Sequence, residues 1–229
     1  TNGSGQFTLS NFTGFFTDPN AMGTLFYSFA VAVVTTLVCL LLAYPIACIL
    51  AFSKLKAKSA LVMIFVLPMW INFSLRITAL KEILTVFEGN LAMYPFFNAV
   101  VGMTYDFLPF MILPIYTTVS RLDGALREAA MDLGANEVQT FLRVTLPLSV
   151  PGIMSGISMV FLPAMTNYVV LDMLYNSTYN MGSLIGSYFS AYNWNGGSMI
   201  ALILLGIICL FTLLTDGGDD STSRGGALL

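Results

Sequence analysis

From Thr24 to Phe52 the chain runs without a single charged side chain. A helix needs about 20 largely apolar residues to cross the hydrocarbon layer of a bilayer, and a run of this length fits no ordinary water-facing helix. Four further stretches read the same way: Ser59 to Leu75, Phe96 to Thr118, Leu148 to Leu171 and Ser198 to Leu214. Only 9% of all residues are charged, where a soluble domain carries about a quarter. Too few polar groups remain to cover a water-exposed surface. The expected fold class is therefore an all-α membrane protein, a polytopic helical bundle with five visible spans.

Lysine and arginine concentrate on the cytoplasmic side of membrane proteins. Lys54, Lys56 and Lys58 fall between the first two spans, Arg121, Arg127 and Arg143 between the third and fourth, and Arg224 in the tail. The opposite side receives Arg76 and Lys81. This asymmetry predicts a cytoplasmic C-terminus and an external start. The expected organisation is an external N-terminal segment over 1–23, a membrane domain over 24–215, and a flexible cytoplasmic tail over 216–229. The N-terminal segment lacks a secretory signal pattern, so an external start is expected to mean either a preceding span outside this chain, the favoured reading, or an unusual route that delivers the terminus across the membrane.

Several chemistries are excluded early. The chain has no histidine, which removes the commonest general base and metal ligand. Cys39, Cys48 and Cys209 lie in apolar runs without metal-site spacing and read as small buried hydrophobes. No phosphate-binding GxxxxGK[ST] segment occurs, so the chain is not expected to hydrolyse ATP itself. A net charge of -3 without a basic stripe gives no support to nucleic-acid binding.

The loop from Ser120 to Gly152 carries the most specific pattern. Ser120 and Asp123 read as helix starters. Leu122, Ala125, Leu126, Ala129, Ala130 and Leu133 recur at three- and four-residue spacing, one apolar stripe, with Arg127, Glu128 and Asp132 on the other side. Gly134 suits the left-handed turn that ends a helix. Asn136 and Gln139 have capping-box spacing for a second helix, expected to stop before Pro147. The flank mixes acid and base, which suits a protein groove better than a lipid surface.

Glu128-Ala129-Ala130, three residues, Gly134, nine residues, Val144, one residue and Leu146-Pro147 resemble the EAA loop of permeases in binding-protein-dependent ABC importers. The family usually has isoleucine where Val144 stands. The resemblance implies that the loop over 120–147 forms a cytoplasmic coupling helix seated in an ATPase cleft, with Glu128, Ala129, Ala130, Asp132 and Gly134 as contact and hinge residues. Pro68 to Lys81, Leu108 to Asp123 and Val160 to Leu174 are similar to the B-type permease subunit of spermidine/putrescine importers. Such subunits have six spans, the first being absent here, and a longer segment around Glu88 to Pro95. The resemblance further implies a cytoplasmic ATPase dimer using ATP and Mg, a second homologous permease, an external substrate-binding protein, and a bacterial inner or plasma membrane location. No cofactor is expected on this chain.

A polyamine path should offer carboxylates and aromatic faces, and ionisable groups inside spans point to function. The candidates are Asp172 with Tyr168 four residues earlier on the same helical face, Trp70 with Asn72 at the end of the second span, and Asp106 beside Tyr105. The plain alternative for the aromatic residues is anchoring at the membrane interface. Arg76 and Lys81 are expected to pair with Glu82 or Glu88, or to bind the delivery protein. Pro109, Pro114, Pro151 and Pro163 are expected to kink spans, and Gly152 and Gly156 to let helices approach closely. Competing readings are an importer of another small solute, a stand-alone carrier or channel, a structural subunit, and an embedded enzyme.

Overall fold

A computed structural model describes residues 10–53, 58–175 and 180–216, and among them every regular element is helical. The order is α1 (Ser10–Thr17), α2 (Pro19–Phe52), α3 (Lys58–Val66), α4 (Phe73–Glu88), α5 (Pro95–Ser120), α6 (Gly124–Asp132), α7 (Glu137–Thr140), α8 (Leu146–Thr166), α9 (Val169–Tyr175), α10 (Met181–Ser190) and α11 (Trp194–Asp216). Among the described residues, four continuous helices are long and apolar enough to cross a membrane: Pro19–Phe52, Pro95–Ser120, Glu137–Thr166 and Trp194–Leu213. A fifth candidate is a pair, Ala60–Trp70 and Phe73–Glu88, bent by 96°. The polytopic helical fold is as expected, but the second span is not one straight helix.

The bend has a local cause. Pro68 opens a tight 3-10 turn over Leu67–Trp70, and Ile71 then adopts extended backbone. Asn72 turns its side chain back to accept from the Ser74 amide at 2.9 Å, capping the start of α4. A hydropathy reading sees one apolar stretch here, because apolarity carries no record of a capped restart.

The other boundaries move for similar reasons. α2 begins at Pro19, where Asp18 accepts from the Asn20 amide at 3.0 Å. Residues 19–23 are therefore helical, within the segment expected to lie outside the membrane domain. The helix expected to stop before Pro147 instead runs on. A π turn over Phe141–Thr145 leads from α7 into α8, and the Leu146 amide donates to the Phe141 carbonyl five residues back. Widening the turn immediately before a residue that lacks an amide proton and crowds the preceding turn keeps the helix continuous. The fourth span ends at Thr166 rather than Leu171. Asn167 accepts from the amides of Val169 and Val170 at 3.1 and 3.4 Å, restarting the chain as α9. Of the expected tail over 216–229, Asp216 is the last residue of α11, while residues 217–229, Arg224 among them, lie outside the described residues, as do Lys54 and Lys56.

The chain divides into two compact units, each taking part of α2, α4, α5 and α8. The first comprises Thr1–Thr35, Ile77–Met103 and Phe161–Leu229. Within it Ile77, Met103, Leu171, Leu174, Met181 and Ile200 are fully buried. Phe161 stacks on Phe211 with ring centres 4.2 Å apart. The Ser28 hydroxyl accepts from the Met181 amide at 2.8 Å, completing a cap at the start of α10 that also uses Asn180 and Ser183.

The second unit comprises Thr36–Arg76 and Thr104–Val160. Cys39, Ala43, Ala47, Met111, Ile112 and Ile115 form its interior. The expectation for Gly152 and Gly156 holds. A Cβ at Gly152 would lie 2.5 Å from the Thr118 hydroxyl and 2.8 Å from the Pro114 carbonyl oxygen, and one at Gly156 would lie 2.6 Å from Met111 Sδ. These two glycines let α8 pack onto α5 at backbone distance. Pro109 and Pro114 sit inside α5, and Pro45 sits inside α2.

Candidate functional site

The α6–α7 hairpin is built almost wholly from local hydrogen bonds. Asp123 caps α6, accepting from the Ala125 amide at 3.0 Å. Ser120 plays no such part: it is the last residue of α5, its hydroxyl donating to the Thr117 carbonyl at 3.1 Å. At the far end the Gly134 amide donates to Met131 at 2.9 Å and the Ala135 amide to Ala130 at 3.0 Å. This paired pattern requires left-handed backbone between its donors, and Gly134 has φ +88°. Asn136 and Gln139 then complete the expected capping box, at 2.8 and 3.1 Å.

Within the hairpin only Thr140, at the end of α7, is buried. No residue of α6 is buried. Glu128, Ala129, Asp132 and Gly134 are exposed and Ala130 is half-buried. Leu133 is 90% exposed and Val138 65%, apolar side chains that folding within this chain does not cover. Arg127 is the tether, its guanidinium 4.1 Å over the ring of Phe52 at the end of α2, a stacked cation–π contact. A cavity of about 300 Å³ beneath it is lined by Cys48, Phe52, Arg127, Glu137, Val138 and Phe141. Such a hairpin, held by its own local hydrogen bonds, by the Arg127–Phe52 contact and by the buried Thr140, can receive a partner's surface and pass its displacement to α2 and α8.

The pathway candidates fall into separate groups. In the first unit, Tyr168 stands in the break between α8 and α9 and is 45% exposed. Its carbonyl accepts from the Asp172 amide at 2.9 Å, so the expected one-turn spacing exists. Asp172 is exposed in α9, not at the end of the long span. In the second unit, Trp70 is 80% exposed at the bend, and Asn72 is committed to capping α4.

Asp106 departs most from expectation. Its carboxylate pairs with Arg76, both side chains only 8% exposed. The Arg76 guanidinium also lies 6.0 Å from the ring centre of Phe73 and 5.8 Å from that of Tyr105. Arg76 thus does not pair with Glu82 or Glu88, and Glu88 instead accepts from Asn98 Nδ2 at 2.8 Å. The two partners are 30 residues apart, beyond any periodicity argument. The available signal was chemical, since two ionisable groups in apolar segments are cheaper together than apart.

The description "binding-protein-dependent transport system inner membrane component" matches residues 22–220. The chain is 37% identical over 183 residues to the spermidine/putrescine transport system permease protein PotB of Escherichia coli (strain K12), covering 73% of this chain and 66% of that protein. It is 35% identical over 223 residues to PotB of Haemophilus influenzae, covering 90% and 77%. A PotB homolog of Mycoplasma genitalium is 30% identical over 203 residues, covering 85% and 63%. The chain therefore spans about two thirds of the length of the Escherichia coli relative.

Proposed function

The chain belongs to the family of binding-protein-dependent transport system inner membrane components, and we propose that it is the permease subunit of an ATP-driven importer of polyamines. The observation that carries this reading is the uncovered α6–α7 hairpin, which presents Glu128, Ala129 and Ala130 on α6 and turns at Gly134. In this reading the hairpin is the coupling helix on the cytoplasmic side, and the C-terminus lies on that side too. A pair of ATPase subunits binds ATP and Mg and grips the hairpin. A second permease completes the pathway, and a binding protein delivers substrate from outside. ATP binding favours one arrangement of the permeases and hydrolysis the other, through differential contacts at the hairpin.

Spermidine and putrescine appear in the names of the relatives, and the chain's exposed acid and aromatic groups suit a flexible polycation. The test is ATP hydrolysis by the reconstituted four-component assembly, titrated with spermidine, putrescine, a sugar and a neutral amino acid. Spermidine or putrescine should raise hydrolysis several-fold, with the others inert. Stimulation by another solute alone would retain the permease and discard the polyamine. If no ATPase associates with the chain, a stand-alone carrier becomes the better reading.

Asp172 is the first candidate for contact with substrate. Replacing Asp172 with Asn should raise the spermidine concentration for half-maximal stimulation by roughly two- to fivefold, the scale of an exposed charge pair. An unchanged titration curve would remove Asp172 from the pathway.

A further inference from the structure

Three observations converge on Arg76. Its guanidinium is enclosed by a carboxylate, that of Asp106, and by two aromatic rings, those of Phe73 and Tyr105. An acid plus aromatic faces is the chemistry that recognises an alkylammonium. The guanidinium is also under-satisfied: Nη2 donates to Asp106, while Nε and Nη1 are buried without an acceptor. A buried charge that fills only part of its donor capacity recovers only part of what burial costs. Finally, Arg76 stands in the first turn of α4, directly behind the 96° bend, its amide donating to the Asn72 carbonyl at 3.2 Å. The residue is thus attached where the chain already changes direction. Tyr105 is 40% exposed in the isolated chain, so one wall of the acid–aromatic nest lies at the surface of this subunit.

We propose that Arg76 is a tethered surrogate for the transported cation: it occupies the nest of Asp106, Phe73 and Tyr105 in the resting protein and is displaced when a substrate ammonium arrives. This inference rests on the polyamine reading above. A fixed staple between α4 and α5 would need no aromatic nest and would gain from satisfying every guanidinium donor. A surrogate needs to bind less well than the ligand that replaces it, and two missing acceptors provide that. Release of Arg76 would free the start of α4 from α5, so arrival of charge in the nest would be felt at the bend. The surrogate also keeps Asp106 from holding sodium or potassium between transport cycles.

The test is equilibrium binding of radiolabelled spermidine to the purified assembly of both permeases and the ATPase in nanodiscs. A competitor that holds the nest nine-tenths of the time weakens apparent affinity about tenfold. Arg76→Gln should therefore bind spermidine about tenfold more tightly than the unaltered assembly. Arg76→Lys, which keeps a tethered cation, should stay near the unaltered value. The double variant Arg76→Gln/Asp106→Asn should lose the gain. Unchanged or weaker binding by Arg76→Gln in an intact assembly overturns the proposal.

Should Arg76→Gln fail to assemble, the unaltered protein still decides. Labelling of Arg76 by phenylglyoxal, read by mass spectrometry, should rise with spermidine concentration, and labelling that stays flat overturns the proposal. Failure of the polyamine reading looks different. In that case the unaltered assembly neither binds spermidine nor hydrolyses ATP faster in its presence, and the surrogate role falls with it.

Discussion

Glu128→Arg should leave the chain inserted and folded while reducing its affinity for the proposed ATPase by at least about tenfold, the scale of reversing a charge within an interface. The expectation rests on where Glu128 stands. It is exposed on α6, a helix with no buried residue, so reversal of its charge disturbs no packing within the chain. Co-purification of the ATPase should fall, and spermidine should no longer accelerate hydrolysis in the reconstituted assembly. Thermal unfolding of the isolated permease in detergent should stay where it was. If the ATPase remains bound and responsive, α6 is not its docking element. A loss of folded permease would instead show that Glu128 supports the chain from within.

Gly152→Val should destabilise the second unit by about 3 kcal/mol or more, at or beyond the upper end of overpacking costs. The added Cβ alone would sit 2.5 Å from the Thr118 hydroxyl, 2.7 Å from Thr118 Cβ and 2.8 Å from the Pro114 carbonyl oxygen. A flexible side chain could move aside, but a carbonyl within a helix cannot move without shifting α5. The measurement is the thermal midpoint and the yield of monodisperse protein in detergent. Gly206→Val is the matched control, because nothing lies within 4 Å of a Cβ at that position in α11. Equal behaviour of the two variants would mean that α8 and α5 are not packed at backbone distance.

What could be read from the sequence divides by range. The turn of the hairpin was legible to the residue, because Gly134, Asn136 and Gln139 each satisfy a need of backbone within a few positions. Apolar length located four of the five expected spans as continuous helices. Two misreadings were local but competitive. Ser120 and Asp123 have equal credentials as helix starters, and only Asp123 serves. Pro147 ordinarily stops a helix, but a π turn before it removes the conflict. The bend after Trp70 and the break at Asn167 were hidden because apolar residues continue through both, while single asparagines restart the helix. The pairing of Arg76 with Asp106 was out of reach of spacing, since it joins α4 to α5. Sequence placed Asp106 among the candidates, and only geometry shows what already occupies it.

A hairpin that leaves apolar side chains uncovered has a thermodynamic consequence for the subunit. Leu133 and Val138 face solvent in the isolated chain, and a binding partner that covers them adds free energy to the folded state alone. If the proposed ATPase is that partner, resistance of the subunit to unfolding should rise, by mass action, with its free concentration. Copies made in excess of that partner should be the ones that open and are degraded, and differential survival would then enforce the stoichiometry of the proposed complex.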